Sequence, residues 1–182
     1  TTSTSNTSIS FDDVSIIAPD GTPALALANY YAEHVSEGST FDIKAGSDPL
    51  VAAFTSGSYD IIVAPTNLGA KMYNSNNDEK YLHYQTIVWG NLYVASKQEI
   101  HSLEDLNGKN LTLFGKNSTP DIVIQSLIKA KNLDIDLTYT DDVGTANSLL
   151  VSNETEYIIS AQPSLTKLMS SQNLYTIDLQ DV

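Results

Sequence analysis

The sequence predicts an α/β protein of two similar units, each a predominantly parallel sheet flanked by helices. Three observations carry that expectation. Strand-length apolar runs alternate with helix-length segments along the chain, the pattern of parallel strands joined by helical crossovers. One run, Ile61-Ile62-Val63-Ala64, is unbroken rather than alternating, as in a strand buried on both faces, and it stops abruptly at Pro65-Thr66-Asn67-Leu68-Gly69. The strand–helix series then starts again after Trp89-Gly90-Asn91, so residues 11–89 and 90–182 read as two units joined near 88–93.

Residues 1–10 are Thr, Ser and Asn with a single Ile, too polar to bury, and read as a flexible linker of the kind that follows an export or anchoring signal. Val14 to Ala18 is the first expected strand. Pro19-Asp20-Gly21 breaks it, Thr22 is placed to cap a helix, and Pro23 takes a first-turn position where its missing N–H costs nothing. That helix should run to about Val35, with Leu25, Leu27, Ala28, Tyr31 and Ala32 facing the core, and end at Glu37-Gly38-Ser39. Phe41 to Ala45 alternates as a strand. Ser47 or Asp48 with Pro49 opens a helix over Leu50 to Thr55, which Ser56-Gly57 ends before the run at Ile61. This is a βαβαβ order, whose crossovers are almost always right-handed.

Lys71 to Lys80, with Asn74-Ser75-Asn76-Asn77-Asp78 at its centre, reads as a surface loop. Tyr84 to Val88 has strand character, broken at Trp89-Gly90-Asn91 and resumed over Leu92 to Ala95. The second unit then gives a short helix at Ser102 to Leu106 closed by Asn107-Gly108, and a strand at Leu111 to Phe114. A helix follows with Pro120 in its first turn and Ile122, Val123, Leu127 and Ile128 as its apolar face. Next come a strand at Ile135 to Tyr139, a helix opened by Asp141-Asp142, a buried strand at Tyr157 to Ala161, a helix from Gln162-Pro163-Ser164 to Met169, and a strand at Tyr175 to Leu179.

Composition excludes several functions. With 22 acidic against nine basic residues the formal net charge is -13, and every basic residue is a lysine. A nucleic-acid binder needs a basic face, and none is visible. The lack of arginine also removes the usual bidentate clamp for a carboxylate or phosphate. Cysteine is absent, which excludes disulfides and thiolate chemistry. No apolar run approaches the roughly 18 residues of a membrane span. His34, His83 and His101 lack metal-ligand spacing, and the acidic pairs Asp12-Asp13, Asp134/Asp136 and Asp141-Asp142 lack the glycine and closing Glu of a calcium loop, so no metal site is expected. No glycine-rich phosphate or dinucleotide motif and no nucleophile elbow occurs, so neither a cofactor nor a catalytic residue is assigned.

Binding candidates lie past strand ends, where α/β sheets receive ligands. They are Gly21 and Thr22, Thr66 and Asn67, and Asn117, Ser118 and Thr119, where free N–H groups and the positive helix end suit an anion and Lys116 offers a charge. Gln162 follows a late strand, Asn91 and Tyr93 follow the break at Gly90, and Trp89, the one tryptophan, offers a stacking face. Each has a plainer reading: capping for the Thr, Ser and Asn residues, a turn for Gln162, a core position for Trp89.

The stretch Ser102-Leu103-Glu104-Asp105-Leu106-Asn107-Gly108-Lys109-Asn110-Leu111 resembles the segment at which ABC-transporter solute-binding proteins of the type II periplasmic-binding fold enter their second lobe. Gly57 to Pro65 and Gln162-Pro163 resemble two further pieces of that family, in the right order, over roughly Val14 to Leu179. The similarity is to the thiamine-precursor and sulfonate binding group. It implies two lobes with a hinge near 88–93, a small molecule held in the cleft, and delivery to an ABC-transporter permease. It also implies an extracytoplasmic place with a lipid anchor upstream, a monomer, and no enzymatic activity. Related folds leave two alternatives, an enzyme like the pyrimidine-precursor synthases and the effector-sensing domain of a regulator. The sequence stops at Val182, where such chains cross back to complete the first lobe, and this predicts an exposed sheet edge in the first unit.

Overall fold

The computed structural model describes residues 14–35, 39–75 and 81–182. The expected linker at 1–10 and the pair Asp12-Asp13 lie outside them. The chain divides into two compact units, residues 1–87 and 88–182.

In the first unit, β1 (Ile16–Pro19) lies between β2 (Phe41–Lys44) and β3 (Ile61–Ile62), parallel to both. Around them run α1 (Thr22–Ala26), α2 (Ala28–His34), α3 (Asp48–Ser56) and α4 (Thr66–Ser75). The core is small: Ile17, Leu50 and Ala53, with Tyr59, Ile62, Ala64 and Leu68 against them. Polar stitches supplement it. The Asp60 carboxylate accepts from the backbone N–H and the hydroxyl of Ser15, at 2.8 and 2.6 Å, and ties the start of β3 to the start of β1.

Several expectations for this unit need correction. The Ile61–Ala64 run is not a strand buried on both faces. It contributes two ladder residues at a sheet edge, and Ile61 is 46% exposed, because among the described residues no strand lies on its far side. Among the described residues β2 and β3 are both edge strands of this sheet. The helix after β1 is split at Leu27, and Gly21, with φ 87°, is its N-cap in place of Thr22. Leu25 and Tyr31 do not face the core; both are more than half exposed. Lys71 to Ser75 continue α4 rather than forming a loop, and 76–80 lie outside the described residues. Tyr84 to Val88 joins no ladder.

The second unit is one five-stranded sheet in the order β6-β5-β7-β4-β8. Its strands are β4 (Leu92–Ser96), β5 (Lys109–Phe114), β6 (Ile135–Thr140), β7 (Tyr157–Ala161) and β8 (Tyr175–Asp178). β5 is parallel to β6 and β7, while β4 runs antiparallel to β7 and β8. Helices α5 (Thr119–Lys131), α6 (Val143–Val151) and α7 (Ser164–Met169) connect the later strands. A short 3-10 turn, Leu103–Leu106, precedes β5. The Asp105 carboxylate holds its start by accepting from the N–H groups of His101 and Ser102, at 2.7 and 3.0 Å. Leu103 and Leu106 are fully buried in a core with Val94, Leu111, Leu113, Ile124 and Ile159. On α5, Ile124 is buried and Val123, Leu127 and Ile128 pack against the same core, while the expected Ile122 is 48% exposed.

The two cores differ enough in size to predict a stability gradient. Local opening follows the number of buried apolar contacts. Amides of Leu111, Leu113 and Ile159 should exchange at least about tenfold more slowly than those of Ile16 and Ile17 in native-state hydrogen exchange. Equal protection of the two sets would contradict this account of the first unit.

Candidate functional site

In each unit the polar candidates fall at the carboxyl edge of the parallel strands. In the first, Gly21 and Thr22 follow β1, and Thr66 and Asn67 open α4 after β3. Thr66 is exposed, while Gly21, Thr22 and Asn67 are half-buried. The α4 ladder begins with the Gly69 N–H donating to Pro65 O at 3.0 Å. Pro65, three residues past the end of β3, thus accepts the first bond of α4.

In the second unit, β4 runs against its neighbours, so its start lies at the same edge as the ends of β5, β6, β7 and β8. This brings together residues 71 apart in sequence. The Gln162 N–H donates to Asn91 O at 3.0 Å, and Asn91 Nδ2 donates to Gln162 O at 3.4 Å. The Gln162 side chain turns to α7, its Oε1 accepting from the Thr166 hydroxyl at 2.7 Å and the Thr166 N–H at 3.3 Å. One step inward, Tyr93 sits opposite Asp178 across the β4–β8 pair. Burial, and after it the Asp178 carboxylate hydrogen-bonded to it, push the Tyr93 phenol above its ordinary value. Trp89 lies before β4 with 83% of its surface exposed, so it is not a core residue.

The β5–α5 loop is held from below by a buried carboxylate. Asp121, 1% exposed, accepts from the Asn117 N–H at 2.7 Å, from Gln125 Nε2 at 2.6 Å and from the Tyr139 hydroxyl at 2.8 Å. The Lys116 ammonium lies over the Tyr139 ring, 5.0 Å from its centroid. Burial alone would raise this carboxyl. The hydrogen bonds from Gln125, Asn117 and Tyr139, with the Lys116 charge, outweigh it and hold the group below the usual carboxylate range. The Ser118 hydroxyl donates to Gly115 O at 2.6 Å and makes no cap bond to the helix, and Thr119 is the exposed first residue of α5. Gly115 has φ 71°, and a Cβ there would collide with Ser118 Oγ, so the loop needs glycine at this position.

Sequence reasoning placed Asn91, Tyr93 and Gln162 separately and missed Asp178, Gln125 and Tyr139. The Asp121–Gln125 spacing of four on one helix was the legible signal for part of the loop's support. Asp178 carries none, since only strand pairing brings it to Tyr93. His34 and His101 pair with adjacent or nearby glutamates at the surface. Among the described residues no three His, Cys, Asp or Glu side chains gather as metal ligands, and no helix is long and apolar enough to cross a membrane.

No protein-family model matches the sequence, and no curated protein matches it. Solved structures do. The chain is similar to an ABC transporter from Parabacteroides distasonis, with TM-score 0.73 and 19% identity over 92% of this chain and 59% of that one. It is similar to the periplasmic aliphatic sulphonate binding protein SsuA from Escherichia coli, with TM-score 0.66 and 13% identity over 92% of this chain and 56% of that one. The effector binding domain of QuiR in complex with shikimate is also similar, with TM-score 0.62 and 13% identity over 91% of this chain and 79% of that one. The chain thus spans less than two thirds of the length of the two transport proteins. The fold is that of the type II periplasmic-binding proteins.

Proposed function

We propose that this chain is an extracytoplasmic solute-binding receptor, which captures a small molecule and presents it to an ABC-transporter permease. The observation that carries the reading is the gathering of polar loop residues at the carboxyl edge of each unit's sheet. They are Gly21, Thr22, Thr66 and Asn67 on one, and Asn91, Gln162 and residues 117–119 on the other. Such edges receive ligands in α/β proteins. Trp89, exposed on the connection between the units, offers a stacking face, and residues 88–93 form the hinge. In this reading the protein binds without transforming its ligand and acts as a monomer. It has no nucleic-acid partner and works at the cell surface or in the periplasm, held by a lipid anchor upstream of Thr1.

Thermal unfolding against a panel of thiamine precursors, sulfonates, nucleobases, amino acids and organic amines tests this. A bound solute at 100 times its dissociation constant should stabilise the fold by about 2.7 kcal/mol. No shift with any solute would count against a receptor. The likeness to the QuiR domain favours a second reading, an effector-sensing domain. Fractionation of the producing cell separates the two, because a receptor is exported and a regulator is retained.

A further inference from the structure

We infer that Gln180 is a positioning residue of the candidate site: its side chain lies across the backbone of Gly90 and fixes Trp89-Gly90-Asn91 at the carboxyl edge of the second unit's sheet. The placement stands on contacts within that unit, and its consequence for a solute rests on the receptor reading above.

Trp89 does not fix itself. It is 83% exposed, so its ring has little of the chain against it, and its place is set by the backbone that follows. That backbone is pinned at Asn91, whose carbonyl and side-chain amide both bond the Gln162 backbone. Gly90, between the two, has no side chain with which to pack. What packs there instead is Gln180. A Cβ on Gly90 would collide with Gln180 Cγ, Cδ and Oε1, three bonded atoms in a row. The glutamine thus occupies the space into which any other residue at this position would project.

Strand pairing makes the contact possible. Gly90 comes shortly before β4 and Gln180 shortly after β8, and these strands are antiparallel neighbours. Gln180 is held in turn: the Leu179 N–H donates to Leu92 O at 3.0 Å, and the Gln180 N–H donates to the Asp178 carboxylate at 2.9 Å. The Tyr93 phenol is hydrogen-bonded to that same Asp178 and to Gln162. The contacts close a ring, from Gln180 to Gly90, Asn91, Gln162, Tyr93, Asp178 and back to Gln180. In that ring the Gln180–Gly90 link is packing rather than a hydrogen bond, and it is the link nearest Trp89. Its role is therefore one of bulk, which an apolar side chain of the same length should fill. A planar solute stacking on Trp89 meets a ring whose backbone is already ordered, so less freedom is lost on binding.

The test is amide relaxation of the isotopically labelled full chain and two variants. Gln180→Ala removes the three packed atoms, and Gln180→Met keeps a side chain of the same reach. Backbone order parameters at Trp89 and Gly90 should be about 0.85 in the wild type and in Gln180→Met, and below about 0.6 in Gln180→Ala. Asn91, held by Gln162, and Leu113 in the core should keep their wild-type values. The urea midpoint should not move, because Gln180 is exposed and its substitution leaves the core intact. Unchanged order at Trp89 and Gly90 in Gln180→Ala overturns the inference, as does an equal loss in Gln180→Met. A loss that reaches Leu113 with a lower midpoint also overturns it, since Gln180 would then support the unit as a whole. None of these results bears on the receptor reading, which fails separately if no solute of the panel above shifts thermal unfolding.

Discussion

Asp121→Ala should destabilise the second unit by about 2–3 kcal/mol, because one substitution removes the shared acceptor of three hydrogen bonds. The donors are the Asn117 N–H, the Gln125 amide and the Tyr139 hydroxyl. Asn117 and Gln125 are exposed and can turn to water, which limits the loss; Tyr139 is half-buried and cannot do so freely. Acidity gives a second readout. The folded protein holds this carboxyl below the ordinary value of about 3.9 for an unfolded Asp. Its ionised form is therefore the stabilising one. The contribution is complete above that ordinary value and is lost as pH falls through the folded value. Urea unfolding should show a gap between wild type and variant at pH 7 that narrows below about pH 4. A gap unchanged by acid would mean that Asp121 acts through packing rather than through its charge.

Leu113→Ala should cost roughly 2–5 kcal/mol, the range for a fully buried leucine whose neighbours relax only in part. Leu113 lies on β5, between β6 and β7, with no exposed surface. The matched comparison is Ile122→Ala on the helix that follows. There the side chain is 48% exposed, and the expected change is within about 0.5 kcal/mol. Urea midpoints that move equally for both variants would contradict the assignment of Leu113 inward and Ile122 outward.

The second unit was the more legible in sequence, and the reason is local. Its elements carry their own punctuation: Ser102 with Asp105, Pro120 in the first turn of α5, Asp142 before α6, Pro163 before α7. Each signal acts within a few residues. The first unit depends on partners that periodicity does not reveal. Ile61 to Ala64 is as apolar as a central strand, yet among the described residues it has a neighbour on one side only. Tyr84 to Val88 is apolar and β-branched in part but pairs with nothing described. Leu25 and Tyr31 both read as core-facing residues of one helix, and the break at Leu27 separates them onto two helices. The candidate site follows the same division. That the polar residues sit past strand ends was visible, because turn residues follow apolar runs. That Asn91 bonds Gln162, and that Tyr93 meets Asp178, depended on β4 running antiparallel, which no local signal encodes.

The central claim is that these strand-end residues receive a solute. Amide chemical-shift mapping of the isotopically labelled chain, titrated with whichever solute of the panel stabilises it most, tests that claim most directly. Shifts should concentrate at Asn91, Tyr93, residues 117–119 and Gln162 in the second unit and at Gly21, Thr22, Thr66 and Asn67 in the first. Shifts confined to the opposite ends of the strands, around Lys97, Lys109 and Asn153, would contradict it.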